Sequence, residues 1–162
     1  MVQVDDRLIY PIFRVGSTSI KKVSSKIYVN EEIRNCRNIE VLIRDPIERF
    51  VSGINQYSLF NGINVNDVWH MVNNGTLVDR HFAPQYIWLL HLHKFYDKDI
   101  TIRPFDHIKN ITSVHLRKSK TKTKMPLCAT FIDVDQELMK HINQTVPLSD
   151  IIRRYKHVLS KT

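Results

Sequence analysis

Ile39-Glu40-Val41-Leu42-Ile43-Arg44-Asp45-Pro46-Ile47-Glu48-Arg49-Phe50-Val51-Ser52-Gly53 is the stretch from which the fold is read. Its first five residues are apolar at Ile39, Val41, Leu42 and Ile43. They are too few and too β-branched for a buried helix, and they predict a strand. The chain then changes character within one residue. Asp45 stands as an N-cap, Pro46 at the first helical position and Glu48 three residues after the cap, the acidic equivalent of a capping box. Ile47, Phe50, Val51, Ile54 and Tyr57 recur at helical spacing on one face, with Arg49, Ser52 and Gln56 on another. Gly62 is the expected stop. A strand that turns sharply into a helix brings free N–H groups and the positive end of the helix dipole to one point, where an anion can bind. Capping accounts for Asp45 and Pro46 without any ligand. It does not call for Arg44 at the strand end or Ser52 two turns into the helix. An arginine beside a helix start presents a two-pronged donor suited to a phosphate, and a hydroxyl on the facing turn adds a further bond.

The same order of elements occurs upstream. Leu8–Phe13 predicts a first strand, although Pro11 counts against a fully paired interior position. Arg14-Val15-Gly16-Ser17-Thr18-Ser19 follows and opens a helix that runs to Ser25. Gly16 lets the backbone approach an anion, and three hydroxyl side chains stand at the helix start. This is not a Walker A loop, which needs a second glycine and a Lys before the Ser or Thr. Further along, a short strand is expected at Ile27–Val29, and a helix over Asn66–Asn74 closed by Gly75. An apolar helix is expected over Tyr86–Phe95, and strands at Ile100–Phe105 and Thr130–Val134. The last helices are expected over Asp135–Asn143 and Leu148–Leu159. There is no internal repeat and no linker, so the 162 residues are read as one domain, 1–162.

Lys and Arg outnumber Asp and Glu by 24 to 16, a formal charge of +8, which favours an anionic partner such as a nucleotide, an acidic glycan or a nucleic acid. Cys36 and Cys128 are far apart and match no metal spacing, so they read as reduced thiols. His91 and His93 lack a third ligand at a convincing spacing, and no metal is expected. The first residues lack the apolar stretch of a signal peptide, and no run reaches the length of a membrane span. A cytoplasmic location is the expectation.

Taken together, the two strand–turn–helix segments resemble the cofactor loops of the PAPS-dependent sulfotransferases, whose sulfonate donor is 3′-phosphoadenosine 5′-phosphosulfate. Arg14-Val15-Gly16-Ser17-Thr18-Ser19 is similar to the family's loop for the 5′-phosphosulfate. Arg44, Asp45, Pro46, Arg49 and Ser52 match, in register, the segment that holds the 3′-phosphate through its first Arg and its Ser. Asp79-Arg80-His81-Phe82-Ala83-Pro84-Gln85 resembles a segment of the carbohydrate-type members. Ile102-Arg103-Pro104-Phe105-Asp106 resembles, more weakly, a strand ending in an acidic residue. The likeness runs in order over residues 8 to 125.

The resemblance implies a three-layer α/β domain, P-loop-like, with a central parallel sheet flanked by helices and the ligand at the carboxyl ends of the strands. It implies transfer of a sulfonate from PAPS to an acceptor hydroxyl by in-line displacement, releasing adenosine 3′,5′-bisphosphate without a metal. Arg14, Gly16, Ser17, Thr18 and Ser19 would bind the sulfonate end, and Arg44 and Ser52 the far phosphate. A saccharide is the acceptor suggested by the third segment, with small alcohols, phenols and protein tyrosine left open. Arg117-Lys118-Ser119-Lys120-Thr121-Lys122-Thr123-Lys124 carries five positive charges in eight residues. It resembles the basic, hydroxyl-rich loop that the family places over the nucleotide, with Arg117 and Lys118 as cofactor contacts, and reads equally as a solvated surface.

The chain also departs from the family. Arg14 stands where most members have Lys, which keeps the charge but not a transferable proton. Only 24 residues separate Ser19 from Arg44, and they contain no His. Glu31, Glu32 and Glu40 are the acids in that interval. His81 is therefore the candidate base, its competing role being to orient its own loop. The competing reading for the whole chain is a noncatalytic nucleotide- or nucleic-acid-binding module that keeps the phosphate cradles.

Overall fold

The computed structural model describes residues 1–12, 15–111 and 135–159, with side chains as far as Lys156. Arg14, Arg117, Lys118 and the strand expected at Thr130–Val134 lie outside the described residues. The strands, in chain order, are β1 (Val2–Val4), β2 (Arg7–Tyr10), β3 (Lys26–Ile27), β4 (Ile39–Ile43), β5 (Asp99–Pro104) and β6 (Thr145–Pro147). They form a six-stranded sheet in the order β3-β1-β2-β4-β5-β6. The sheet is mixed. β2, β4 and β5 are parallel neighbours, whereas β1, β3 and β6 add at the two edges in antiparallel sense. The expected parallel sheet is thus the middle three strands only.

β4 lies at the heart of the sheet because four of its five side chains are apolar. Ile39, Val41, Leu42 and Ile43 are all essentially closed to solvent. Such a run suits a strand with parallel partners on both sides and cover on both faces. β1 had no expectation attached to it. Val2 and Val4 are buried, and Asp5-Asp6 turns the chain directly into β2, with Asp5 in the left-handed region at φ 50°. β6 was also unforeseen, since three residues ending in Pro147 carry no strand pattern.

Helices flank the sheet: α1 (Ser17–Val23), α2 (Asn30–Ile33), α3 (Pro46–Asn61), α4 (Val65–Asn73), α5 (Gln85–His93) and α6 (Leu148–Leu159). A 3-10 helix, Phe105–Asn110, follows β5, and residues 135–139 are helical. α3 begins as the sequence predicts, with Asp45 Oδ1 accepting the Glu48 N–H at 2.8 Å. It ends at Gly62, whose φ of 65° favours glycine. The main core combines the strands with Ile20 of α1, Leu89 and Leu92 of α5, and Ile151, Ile152 and Tyr155 of α6. Tyr86 and Tyr155 stack between α5 and α6 at 4.4 Å. A smaller core joins Phe50 and Ile54 of α3 to Val68 and Val72 of α4, with Phe82 between them. No helix among the described residues is long and apolar enough to cross a membrane.

Candidate functional site

Three parallel strands end side by side, and the chain leaves each of them at the same edge of the sheet. After β2 it passes through Val15-Gly16 into α1, after β4 through Arg44-Asp45 into α3, and after β5 into the 3-10 helix at Phe105. Both segments that the sequence reading singled out as anion-binding candidates therefore stand at the carboxyl ends of adjacent strands, where open α/β sheets bind ligands.

The Phe105 ring is where they meet. The Arg44 guanidinium carbon lies 5.1 Å from the ring centroid, in cation–π range. From the other side Gly16 presses on the same residue. A Cβ on Gly16 would sit 3.2 Å from Phe105 Cε2 and 2.4 Å from Ile108 Cδ1, and its φ of +67° is itself one that favours glycine. Glycine is thus favoured here first by its backbone conformation and then by the side chains of the 3-10 helix packed on the loop. No side chain caps the first turn of α1. Ser17 and Ser19 are partly buried there, and Thr18 is exposed.

Beside Phe105 a cavity of about 220 Å³ opens, lined by Ile43, Arg44, Asp45, Glu48, Phe105 and Asp106 among others. Arg44 is its one cation among the described residues. Its Nε is closed to solvent and makes no hydrogen bond, with the Glu48 carboxylate 3.5 Å away. A buried guanidinium N–H that makes a long ion pair but no hydrogen bond suits an anionic oxygen, because leaving the bond unmade costs its desolvation. Three carboxylates share the lining. Asp45 is occupied in capping α3 and Glu48 in facing Arg44. A phosphate at Arg44 would displace Glu48, whose side chain is largely exposed and free to swing out. Asp106 faces Lys109 at 3.4 Å, and Arg44 is the residue of this lining that suits a phosphate.

Ser52 does not line this cavity. It is buried on α3, one turn beyond Arg49. Arg49 is more deeply buried than the sequence implied, at 2% exposure, and one guanidinium N–H donates to the Ala83 carbonyl.

His81 lies in the segment before α5 and packs against α3. Its carbonyl abuts Gly53, and its ring meets Tyr57 and Phe60 edge-on at 5.9 and 6.3 Å. Tyr57 is twelve residues from the cap, about 18 Å along the helix axis. The ring is therefore not part of the Arg44 cavity. It is nevertheless well ordered for proton transfer. Asp79 Oδ1 accepts both the His81 backbone N–H, at 2.8 Å, and the ring Nδ1–H, which fixes the tautomer and leaves Nε2 as the basic nitrogen. Burial raises the Asp79 carboxyl, but the hydrogen bonds from His81 outweigh it and hold the group below the usual range. Asp79 as orienter was not foreseen, although an Asp two residues before a His in a turn is a local signal for it.

Two further residues at the site had no role assigned in advance, Gln85 standing only as the end of the Asp79–Gln85 segment and Asp135 only as the start of an expected helix. Gln85 links its side chain to the backbone of Arg44, and Asp135 holds Gln85 from 50 residues away. Long-range polar contacts of this kind leave no periodic trace in a sequence. Among the described residues no group of three or more His, Cys, Asp or Glu is placed to hold a metal ion. His91 is engaged instead by the Tyr10 hydroxyl at 3.0 Å. Compared with models of known families, with curated proteins and with solved structures, the chain matches none.

Proposed function

We propose that this chain is a PAPS-dependent sulfotransferase built on a three-layer, P-loop-like α/β domain, with a hydroxyl acceptor that includes the saccharide class. The observation that carries the reading is the meeting of Gly16 and Arg44 on the Phe105 ring, at the carboxyl ends of three parallel strands. Two anion-binding segments of different sequence, brought against one aromatic side chain, suit a ligand with phosphate-like groups at both ends. The Nε of Arg44, buried and without a hydrogen bond, supports an anion there. PAPS would supply a sulfonate on a good leaving group, the charge building on the departing phosphate oxygen. Within this reading Arg44 anchors the 3′-phosphate and so aligns the far end of the nucleotide. The N–H groups of Ser17, Thr18 and Ser19, with the Arg14 charge, offset the negative charge at the sulfonate end. His81 Nε2 takes the acceptor proton, held in its tautomer by Asp79. Arg117 and Lys118 add positive charge over the nucleotide.

The second reading is a nucleotide- or nucleic-acid-binding module without turnover. One observation favours it: the His81 ring stands beside Tyr57 and Phe60 and not in the Arg44 cavity. Thermal stability in the presence of adenosine 3′,5′-bisphosphate, ADP, or ATP with magnesium tests the cofactor. A ligand at a hundredfold its dissociation constant adds about 2.7 kcal/mol. Selective stabilisation by the bisphosphate, lost in Arg44→Ala, is the expected result. A larger response to ATP with magnesium, or none to the bisphosphate, overturns the sulfotransferase reading. Bisphosphate binding with no sulfonate transfer to any hydroxyl acceptor favours the second.

A further inference from the structure

Among the described residues Gln85 is the polar side chain most completely removed from solvent, at 0% exposure, and its partners account for that. Its Oε1 accepts the Arg44 N–H at 2.8 Å, and its Nε2 donates to the Arg44 carbonyl at 2.9 Å. One side-chain amide therefore satisfies both backbone groups of Arg44. The amide orientation is fixed, because exchanging O and N would set donor against donor and acceptor against acceptor.

Arg44 needs such a partner. It lies one residue past the end of β4, and the neighbouring strand closes its register at Ile43↔Pro104, with a proline that has no N–H to give. The sheet ladder stops just short of Arg44, and buried backbone groups left unpaired are costly. The Gln85 amide continues the ladder by one residue.

Gln85 is held in turn by Asp135. Asp135 Oδ2 accepts the Gln85 N–H at 2.7 Å and the Gln85 Nε2 at 3.3 Å, and its Oδ1 accepts the Tyr86 N–H at 3.2 Å. It thereby stands in for the N-cap side chain that Pro84 lacks. The charged and titratable groups facing this pair are Arg44 at the end of β4, Arg49 of α3, and Tyr86 and Tyr155 of α5 and α6.

We propose that Gln85 is a positioning residue for Arg44: its amide clamps the Arg44 peptide groups and so sets the direction in which the guanidinium leaves the strand, with Asp135 locking Gln85 in place. The inference rests on reading Arg44 as the anchor for a nucleotide phosphate. It requires an amide at position 85, since a carboxylate would repel both the Arg44 carbonyl and Asp135 until it took up a proton.

Gln85→Leu and Gln85→Glu test it through two measurements, amide hydrogen exchange along β4 and the affinity of the folded protein for adenosine 3′,5′-bisphosphate. In Gln85→Leu the Arg44 amide exchanges at least about tenfold faster while Val41 and Ile43 keep their protection, and affinity falls roughly tenfold, the scale of one hydrogen bond. In Gln85→Glu the loss is similar at about pH 8. Near about pH 5 the buried carboxyl is protonated, donates to the Arg44 carbonyl, and brings affinity back to within about threefold of the parent at the same pH. A merely structural role would not produce that recovery. Unchanged Arg44 exchange in both variants overturns the proposal, as does faster exchange spread evenly over Val41, Ile43 and Arg44. If the parent binds no bisphosphate, the sulfotransferase reading fails, and the Arg44 exchange pattern alone decides whether Gln85 positions it.

Discussion

Gly53→Ala reverses an ordinary expectation and tests the packing that places His81. In the interior of a helix this change normally stabilises, by about 0.8–1.0 kcal/mol. Here the added Cβ would lie 2.2 Å from the His81 carbonyl oxygen, 2.8 Å from its carbon and 3.3 Å from the Phe82 nitrogen. All three are backbone atoms, so no flexible side chain can swing aside. The 79–83 segment is also held at both ends, by the hydrogen bonds between Asp79 and His81 and by the Arg49 bond to the Ala83 carbonyl. Relief requires α3 and this segment to part, which separates Phe82 from Phe50 and Tyr57, now 6.3 and 5.9 Å from it by ring centroids. Overpacking of this kind costs about 1–3 kcal/mol and occasionally more. Set against the helical gain, the net effect is a loss of up to about 2 kcal/mol, or more where the backbone yields little. For a chain of this length each kcal/mol lowers the melting temperature by about 2–4 °C. Urea and thermal melts followed by circular dichroism measure it. A variant as stable as the parent, or more so, refutes the close approach of α3 to His81 and with it the placement of the histidine.

Asp79→Ala removes the acceptor that orients the His81 ring, and under the sulfotransferase reading it lowers the transfer rate by at least about a hundredfold, the scale of general base catalysis. His81→Ala does the same, and both leave adenosine 3′,5′-bisphosphate affinity unchanged because the ring lies away from Arg44. Equal loss of binding in either variant contradicts that separation. A third expectation concerns His107, whose Nε2 accepts from Arg7 Nη1 at 2.7 Å. Burial lowers its pKa, Glu40 opposes this, and Arg7 and Arg103 lower it further. The folded state then binds fewer protons than the unfolded chain, so stability is full above the ordinary imidazole value of about 6.5 and declines as pH falls below it. The urea midpoint is expected to drop between about pH 7 and pH 5.5, and His107→Gln to flatten that dependence. A parent profile that is flat, or that rises, counts against it.

The parts of the fold that were legible in advance are those whose signals are local. β4 announced itself by its apolar run, and α3 by Asp45, Pro46 and Glu48 at its start and Gly62 at its end. Two of the short antiparallel strands were not legible. β1 and β6 are three residues each, and they exist because a neighbour offers an open ladder and not because their own pattern demands a strand. Residues 135–139 are helical as expected, but turns replace the helix from Lys140 onward. Ser52 illustrates a different limit. Helical spacing from Arg44 says how far along α3 it lies, and only packing decides that it is buried.

Local sequence was enough to say that two strand ends would open into helices, at Gly16 and at Arg44. Strand pattern, cap residues and glycine act within a few residues of one another, and their energetics need no distant partner. Packing between distant segments is what set both ends against Phe105 and put the His81 ring beside Tyr57 and Phe60 of α3. It also decided that Gln85 and Asp135 would take over where the β4 ladder ends. Those contacts join residues 41 and 50 positions apart, brought within hydrogen-bond distance by burial of the core.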